Sequence, residues 1–332
     1  MTTLQDNQPQ TLALRRAAVR ATMAPSVHNT QPWRFVLQPN RLDVYADNSR
    51  HLGQLDPAAR QLIISCGCAV FNARVSLASS GLPVEVERFP DPSQPNLLAR
   101  ITTGGSSPDP VDDRLAALDA VVEIRRSNRR EFSEDEVPAA LITTLEEAAA
   151  AEGAELHLVR GEDERLSVAV LSQRADDIQN LNPAYRAELR AWTTDDPRRS
   201  DGVPVTAIPH VDGSSHDEVP IRDFDTRGMG LLPSETHSSR NQCLLLLGTP
   251  GDSQVSWLTA GEALERVLLE VARHGFAASP LTQVVEVASA RAALRNELRL
   301  SMHPQILLRI GLAPATPSPR RRRLVEVLDE QP

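Results

Sequence analysis

Ala24-Pro25-Ser26-Val27-His28-Asn29-Thr30-Gln31-Pro32-Trp33-Arg34-Phe35 is the stretch on which the reading of the fold turns. Pro25 fixes its own φ and biases Ala24 toward an extended backbone. Ser26 and Asn29 are short polar residues suited to a loop that leaves a helix. Pro32 closes that loop, and Trp33-Arg34-Phe35-Val36-Leu37 reads as a short strand. The product is a stiff connection that offers hydroxyl, amide and backbone groups to a flat polar ring. Pro, Ser and Asn alone would equally suit an ordinary helix-to-strand connection.

The rest of the composition frames this loop. A chain of 332 residues implies two domains or one large one. With 41% hydrophobic residues it can bury a substantial core, and 25 prolines predict many firm loops. A formal net charge of −9 argues against nucleic acid or an anionic membrane as a partner. No apolar run approaches the roughly 18 residues of a membrane helix. Met1-Thr2-Thr3-Leu4-Gln5-Asp6 has neither the basic nor the apolar part of an export signal. Cys66, Cys68 and Cys243 make neither a disulfide framework nor a zinc spacing. The expectation is a soluble cytoplasmic protein.

An internal repeat organises the chain. Residues 66–82 match residues 260–276 at an offset of 194, with a glycine near the start (Gly67, Gly261) and one at the end (Gly81, Gly275). Each segment reads as a helix with a glycine C-cap, and the small residues near its start permit close helix–helix approach. Leu14-Arg15-Arg16-Ala17 also resembles Ile124-Arg125-Arg126-Ser127, and the strand at Trp33 has a counterpart in Glu155-Leu156-His157-Leu158-Val159. The offset then grows by roughly 70 residues, which places an insertion in the second copy. That insertion opens with a helical stretch, Asp163 to Thr194, and continues as a polar run to Arg240.

The two copies hold different halves of a site. Copy two carries Arg125-Arg126-Ser127-Asn128-Arg129-Arg130-Glu131-Phe132-Ser133. Arginines bracketing a serine supply the forked cationic donors and hydroxyl that a phosphate dianion takes. Copy one has the Pro25–Trp33 loop, whereas copy two has Ala150-Ala151-Glu152-Gly153-Ala154 in its place. The loop resembles the A-P-S-x-x-N-x-Q-P-W-R-F segment of the nitroreductase family, and the arginine run resembles that family's R-R-S-x-R-x-F segment. The pattern as a whole is similar to the Acg branch, in which a nitroreductase fold is duplicated. The resemblance covers residues 10 to 328.

This resemblance implies an α+β, duplicated nitroreductase-like fold, a β-sheet flanked by helices in each half. Residues 1–110 form one half and 111–332 the other, with a lid-like insertion at about 195–240. Two copies in one monomeric chain then mimic the family's dimer around one flavin mononucleotide (FMN). Arg125, Arg126, Ser127 and Arg129 are expected to grip its phosphate, with Arg320 and Arg321 of the Pro317–Leu324 tail as a second contact. Pro25, Ser26, Val27, Asn29 and Gln31 face the ring, and Pro280, Leu281 and Thr282, in the segment after the long helix, lie along it. Gln305–Leu312 reads as a core strand buried on both faces.

The implied activity is reduction of nitro or quinone-type small molecules by NAD(P)H, with hydride passing through flavin N5. The alternative is a protein that stores FMN under a closed lid. No general-base constellation or nucleophilic triad is present, and His28 is expected to pack the loop. No G-x-G-x-x-G follows a strand, so NAD(P)H would bind only transiently over the flavin. Gly104-Gly105-Ser106-Ser107-Pro108 reads as a linker, and Trp192 as an anchor for the insertion. His210, His216 and His237 form no metal-binding spacing.

Overall fold

In a computed structural model of the chain, the described residues are 8–103, 112–130, 132–208, 219, 221, 222, 224 and 242–331. Helix α1 (Gln8–Thr22) runs through the Pro25–Gln31 loop into the hairpin of β1 (Trp33–Gln38) and β2 (Arg41–Ala46). Helix α2 (Arg60–Ser79) follows, then β3 (Val84–Arg88) and β4 (Leu97–Thr103). The second series opens with the short α3 (Asp113–Ala117) and α4 (Asp119–Val122), then α5 (Ala139–Ala151) and β5 (Glu155–Leu158). Next come α6 (Gly161–Asn180), α7 (Pro183–Trp192), β6 (Thr193–Thr194) and β7 (Val203–Pro204). The chain continues through β8 (Cys243–Thr249), α8 (Gln254–Arg273), β9 (Ala277–Pro280), α9 (Gln283–Glu286), α10 (Ala288–Glu297), β10 (His303–Gly311) and β11 (Leu328–Glu330). The linker glycines and the three insertion histidines lie outside the described residues.

The two large sheets have one topology. One runs β11-β1-β2-β4-β3 and the other β5-β8-β10-β9. Apart from β11, each places its first, second, fourth and third strands side by side, all antiparallel, with the long helix between the second and third. Strand β11, at the C-terminal end of the chain, pairs parallel to β1 and so ties the end of the second series to the first.

Helices α2 and α8 cross at Gly67 and Gly261. A Cβ on Gly67 would lie 2.2 Å from the Leu258 carbonyl oxygen, and one on Gly261 would lie 2.0 Å from that of Ile64. The contact is reciprocal, because Ile64 and Leu258 are separated by the same 194 positions as the two glycines. Gly81 (φ +72°) and Gly275 (φ +78°) end the two helices in the left-handed region, where a side chain is strained.

By length and composition α2 is apolar enough to cross a membrane, but 89% of that window is buried inside the protein, as expected of a core helix. The main core joins α2 and α8 to both sheets and is capped by Trp33 and Phe35, both fully buried. Strand β10 is buried along nearly its whole length between β8 and β9, as its apolar sequence predicts.

One sequence expectation fails. Leu14–Ala17 lies in the middle of α1, whereas Ile124–Ser127 lies beyond α4. The helix that precedes the first strand of the second sheet, as α1 precedes β1, is α5. A four-residue match is too short to override the order of elements.

Candidate functional site

A loop under strain forms one side of the site. His28 (φ 48°), Asn29 (φ 55°) and Gln31 (φ 51°) all occupy the left-handed region, which non-glycine residues enter at a cost. The bends hold because other groups fix them. The Ser26 hydroxyl accepts from the Gln31 backbone N–H (2.9 Å), and the Ser65 hydroxyl on α2 accepts from that of Val27 (3.2 Å). The side chains of Asn29 and Gln31 reach outward to distant segments. Asn29 Nδ2 donates to the Gly202 carbonyl (3.0 Å), and its Oδ1 accepts from the Arg321 guanidinium. Gln31 Nε2 donates to the Ser200 carbonyl (2.8 Å), and its Oε1 accepts from the Arg322 N–H (2.7 Å).

The arginine segment forms the opposite side. Ser127 makes a parallel bridge to Ala278, and the Asn128 N–H donates to the Ala278 carbonyl (2.8 Å), so residues 127–128 continue the sheet beyond the β9 edge. Phe132 anchors the end of the segment, with the Arg309 guanidinium 4.2 Å from its ring centroid. Ser127 and Arg129 thereby come to face Pro25 and Ser26.

Two contiguous cavities lie between these segments and share Pro25, Ser26, Ser127 and Arg129. The larger, about 330 Å³, is lined on one side by Arg125, Ser127, Arg129, Arg320 and Arg321 and on the other by residues between 194 and 207, among them Arg199 and the carboxylates Asp195, Asp196 and Asp201, so that arginines outnumber acids by five to three. The smaller, about 90 Å³, is bounded by Val27, His28, Gln61, Cys68, Ser279, Pro280, Leu281 and Thr282. Of the residues expected to form a site, Asn29 reaches the first cavity and Val27, Pro280, Leu281 and Thr282 the second. Arg126 and Gln31 line neither. The Arg126 guanidinium is turned to the Ser318 hydroxyl (2.7 Å from Nε) and to its neighbour's carbonyl, and Gln31 is consumed by the two backbone contacts above.

The electrostatics are those of an anion site. Arg129 makes no hydrogen bond or ion pair among the described residues, and its guanidinium lies 5.4 Å from the Phe224 ring centroid. Burial, and then repulsion from Arg222, pull its pKa down to about 10. Burial and the neighbouring Arg125 pull Arg321 down to about 9. Both remain cations at neutral pH, and a half-buried cation without a carboxylate beside it, as Arg129 is among the described residues, is stabilised by a bound anion.

The smaller cavity holds unmet hydrogen-bonding groups of a different kind. Both His28 ring nitrogens, Gln61 Nε2 and Ser279 Oγ are buried without partners among the described residues. Burial, Arg222 and Arg129 hold the His28 pKa well below its ordinary value, so the imidazole is neutral. Each orphaned group costs about 1–3 kcal/mol unless a ligand satisfies it. A planar ligand with heteroatoms at its edge, carrying a phosphate toward the arginines, would meet both sets of needs.

Three described residues between β7 and β8 close this end. Ile221, Arg222 and Phe224 line the smaller cavity, and the Phe224 ring meets His28 edge-on with centroids 5.7 Å apart. Arg222 fixes them. Its guanidinium donates to both Glu286 carboxylate oxygens (2.7 and 2.6 Å), to Thr282 Oγ1 (3.1 Å) and to the Tyr185 hydroxyl. Burial opposes its charge, but Glu286 and Tyr185 hold its pKa above the ordinary value. The guanidiniums of Arg50 (5.3 Å) and Arg199 (5.6 Å), both bound to Asp201, lie over the Trp192 ring.

The mirror position in the other half is filled. Ser65 and Cys68 correspond at the same offset to Thr259 and Glu262. Gly153, in the loop before β5, lies against Thr259 as Val27 lies against Ser65. Glu262 is fully buried there, bound to Arg74 (2.7 Å) and Arg88 (2.6 Å). Glu152 completes the cluster by pairing with Arg74 (2.5 Å) and Arg266 (2.7 Å).

Sequence reading alone missed Gln61, Ser65, Ser279, Arg222, Phe224 and Glu286. Gln61 and Ser65 had a signal, as polar interruptions four apart in an otherwise apolar helix. Arg222 had none, since its partner lies 64 residues away.

No protein-family model matches the chain. Among curated proteins it is similar to the Mycobacterium tuberculosis (strain H37Rv) protein named "Putative NAD(P)H nitroreductase Rv3131", with 34% identity across 97% of this chain and 92% of that one. It is also similar to "Putative NAD(P)H nitroreductase acg" of the same strain, with 30% identity across 95% of this chain and 94% of that one. Among solved structures, the FMN and NADPH-dependent nitroreductase NfnB from Sphigopyxis sp. strain HMH overlaps 65% of this chain and 99% of its own, at 19% identity and a TM-score of 0.40. The FMN-dependent NfnB from Mycobacterium smegmatis in complex with NADPH overlaps 64% and 97%, at 17% identity and a TM-score of 0.38.

Proposed function

The chain belongs to the NAD(P)H nitroreductase family that includes Acg, and from that premise we propose that it is a flavin-dependent oxidoreductase holding one FMN between two copies of a duplicated unit. The observation that carries this reading is the pair of adjoining cavities that share Pro25, Ser26, Ser127 and Arg129. One end presents an unpaired arginine among other cations, and the other presents orphaned polar atoms suited to a heteroaromatic edge. The residues present fit the cofactor. Arg125, Ser127, Arg129, Arg320 and Arg321 would hold its phosphate, while His28, Gln61 and Ser279 would face its ring beside Pro280, Leu281 and Thr282.

Bound FMN supplies hydride transfer at N5 between a nicotinamide and a nitro or quinone-type acceptor. The chain's own part is to bind, orient and exclude water. Neutral His28 can donate through one nitrogen and accept through the other. Ile221 and Phe224 would shield the ring end from solvent and must move aside for a nicotinamide to stack there, so they are read as part of a lid latched by Arg222, while most of residues 209–240 of the expected lid lies outside the described residues.

Two features support the duplication and the count of one flavin. The sheets repeat one strand order about the Gly67–Gly261 crossing. The position that the 194-residue offset pairs with the cavity is filled by the Glu262 cluster. The test is anaerobic addition of NADPH to FMN-loaded protein, followed near 450 nm. Bleaching supports an oxidoreductase with a reachable ring. A flavin that dithionite bleaches and NADPH does not would overturn the proposed turnover.

A further inference from the structure

Behind the cationic end of the cavity lies a carboxylate that the preceding reading does not use. Glu265, on α8, has no solvent exposure. Arg125 Nε lies 3.1 Å from its Oε1, and Arg125 is itself only 3% exposed. Neither Glu265 oxygen has a well-aligned donor among the described residues, and the Asn72 and Arg125 side chains are the hydrogen-bonding groups beside it. Arg321, from the C-terminal run, faces the same carboxylate, with Arg126 beside Arg321. From α2, Cys68 and Asn72 approach it, and burial keeps the Cys68 thiol protonated. Arg125 and Arg321 both line the cavity. Glu265 thus sits on the far side of the two cations from the ligand.

We propose that Glu265 is a positioning residue that holds Arg125 and Arg321 toward the cavity and yields them to the ligand's phosphate, so that binding a phosphate monoester draws a proton onto its carboxylate. The inference rests on the reading of this end as a phosphate site. Its logic is competition. With Glu265 ionised, part of the cationic field is already neutralised from behind. A dianion arriving in front places like charge near the carboxylate and favours its protonated form. Burial, opposed by Arg125, has already brought its pKa up to about 7, so the proton is available near neutrality.

FMN and riboflavin, which lacks the phosphate, are the probes. Between pH 6.5 and 8 the FMN phosphate is largely a dianion already. In that window the FMN Kd of the wild-type protein rises about fourfold if the bound phosphate raises the carboxyl by one unit. Calorimetry in two buffers of different ionisation enthalpy shows net proton uptake on FMN binding. Riboflavin binding shows neither effect, and Glu265→Gln flattens the FMN profile. An FMN profile equally steep in Glu265→Gln, or no proton uptake by the wild-type protein, overturns the role of Glu265 while leaving the phosphate site standing. Should Glu265→Gln fail to fold, the wild-type calorimetry decides alone. Failure of the wild-type protein to bind FMN tighter than riboflavin at any pH overturns the phosphate reading itself.

Discussion

Replacing Arg222 with alanine tests whether the insertion is a latched cover. In the closed arrangement its guanidinium lies 2.6 and 2.7 Å from the two oxygens of Glu286, whose side chain is fully buried. Removing it leaves that carboxylate with Gln179 Nε2 at 2.8 Å as its remaining side-chain donor among the described residues. An uncompensated buried charge costs about 3–5 kcal/mol. If the cover opens as a unit, water reaches Glu286 and most of that penalty falls on the closed state alone. At about 1.4 kcal/mol per factor of ten, opening becomes more favourable by roughly two to three orders of magnitude. Stopped-flow reduction of bound FMN by NADPH should quicken by at least tenfold, with dithionite reduction as the reference for a small reductant. Proteolytic cleavage between residues 195 and 240 should quicken in parallel. An unchanged NADPH rate and cleavage pattern, alongside a global loss of stability, would refute the latch and make Arg222 an ordinary core ion pair.

Other substitutions probe the frame and the site. Gly261→Ala places a methyl 2.0 Å from a backbone carbonyl that cannot rotate away, so urea denaturation should show a loss of at least about 3 kcal/mol, and Gly67→Ala a comparable one. Glu262→Ala removes the carboxylate shared by Arg74, which keeps Glu152, and the half-buried Arg88, and should cost about 1–3 kcal/mol in the same assay, without opening a second flavin site. Arg129→Ala removes the unpaired cation shared by both cavities. Its FMN affinity should fall by about tenfold or more, with far-ultraviolet circular dichroism unchanged, and wild-type affinity in that variant would remove Arg129 from the phosphate site.

Much of the frame was legible because it depends on local chemistry. Pro25, Pro32 and Asn29 mark the Pro25–Pro32 loop, although its left-handed bends depend on Ser26, Ser65 and distant backbone, and the glycine pairs at 67/261 and 81/275 mark a close crossing and two helix ends. Strand β11 was not legible, since Leu328–Glu330 is short and half polar and becomes a strand only by pairing with β1. The Leu14–Ala17 comparison failed for the converse reason, as two arginines after an apolar residue recur easily in helices and turns alike. In the site, the arginine segment was readable as cationic, but the direction of each side chain was not. Arg126 follows Arg125 in the sequence and yet points at Ser318, because residues 127–128 run alongside β9 and successive side chains there take opposite sides. Glu265 and Glu262 stand three apart on one buried helix, and only the packing reveals that one backs a cavity and the other fills its mirror image.

The central claim is that two related halves build one flavin site between them. Loading the purified protein with excess FMN, removing unbound flavin and counting the FMN released per chain tests it most directly. One FMN per chain is the predicted result. Two per chain would mean that the Glu262 cluster does not close the second position, and none would contradict the assignment of the cavity to flavin.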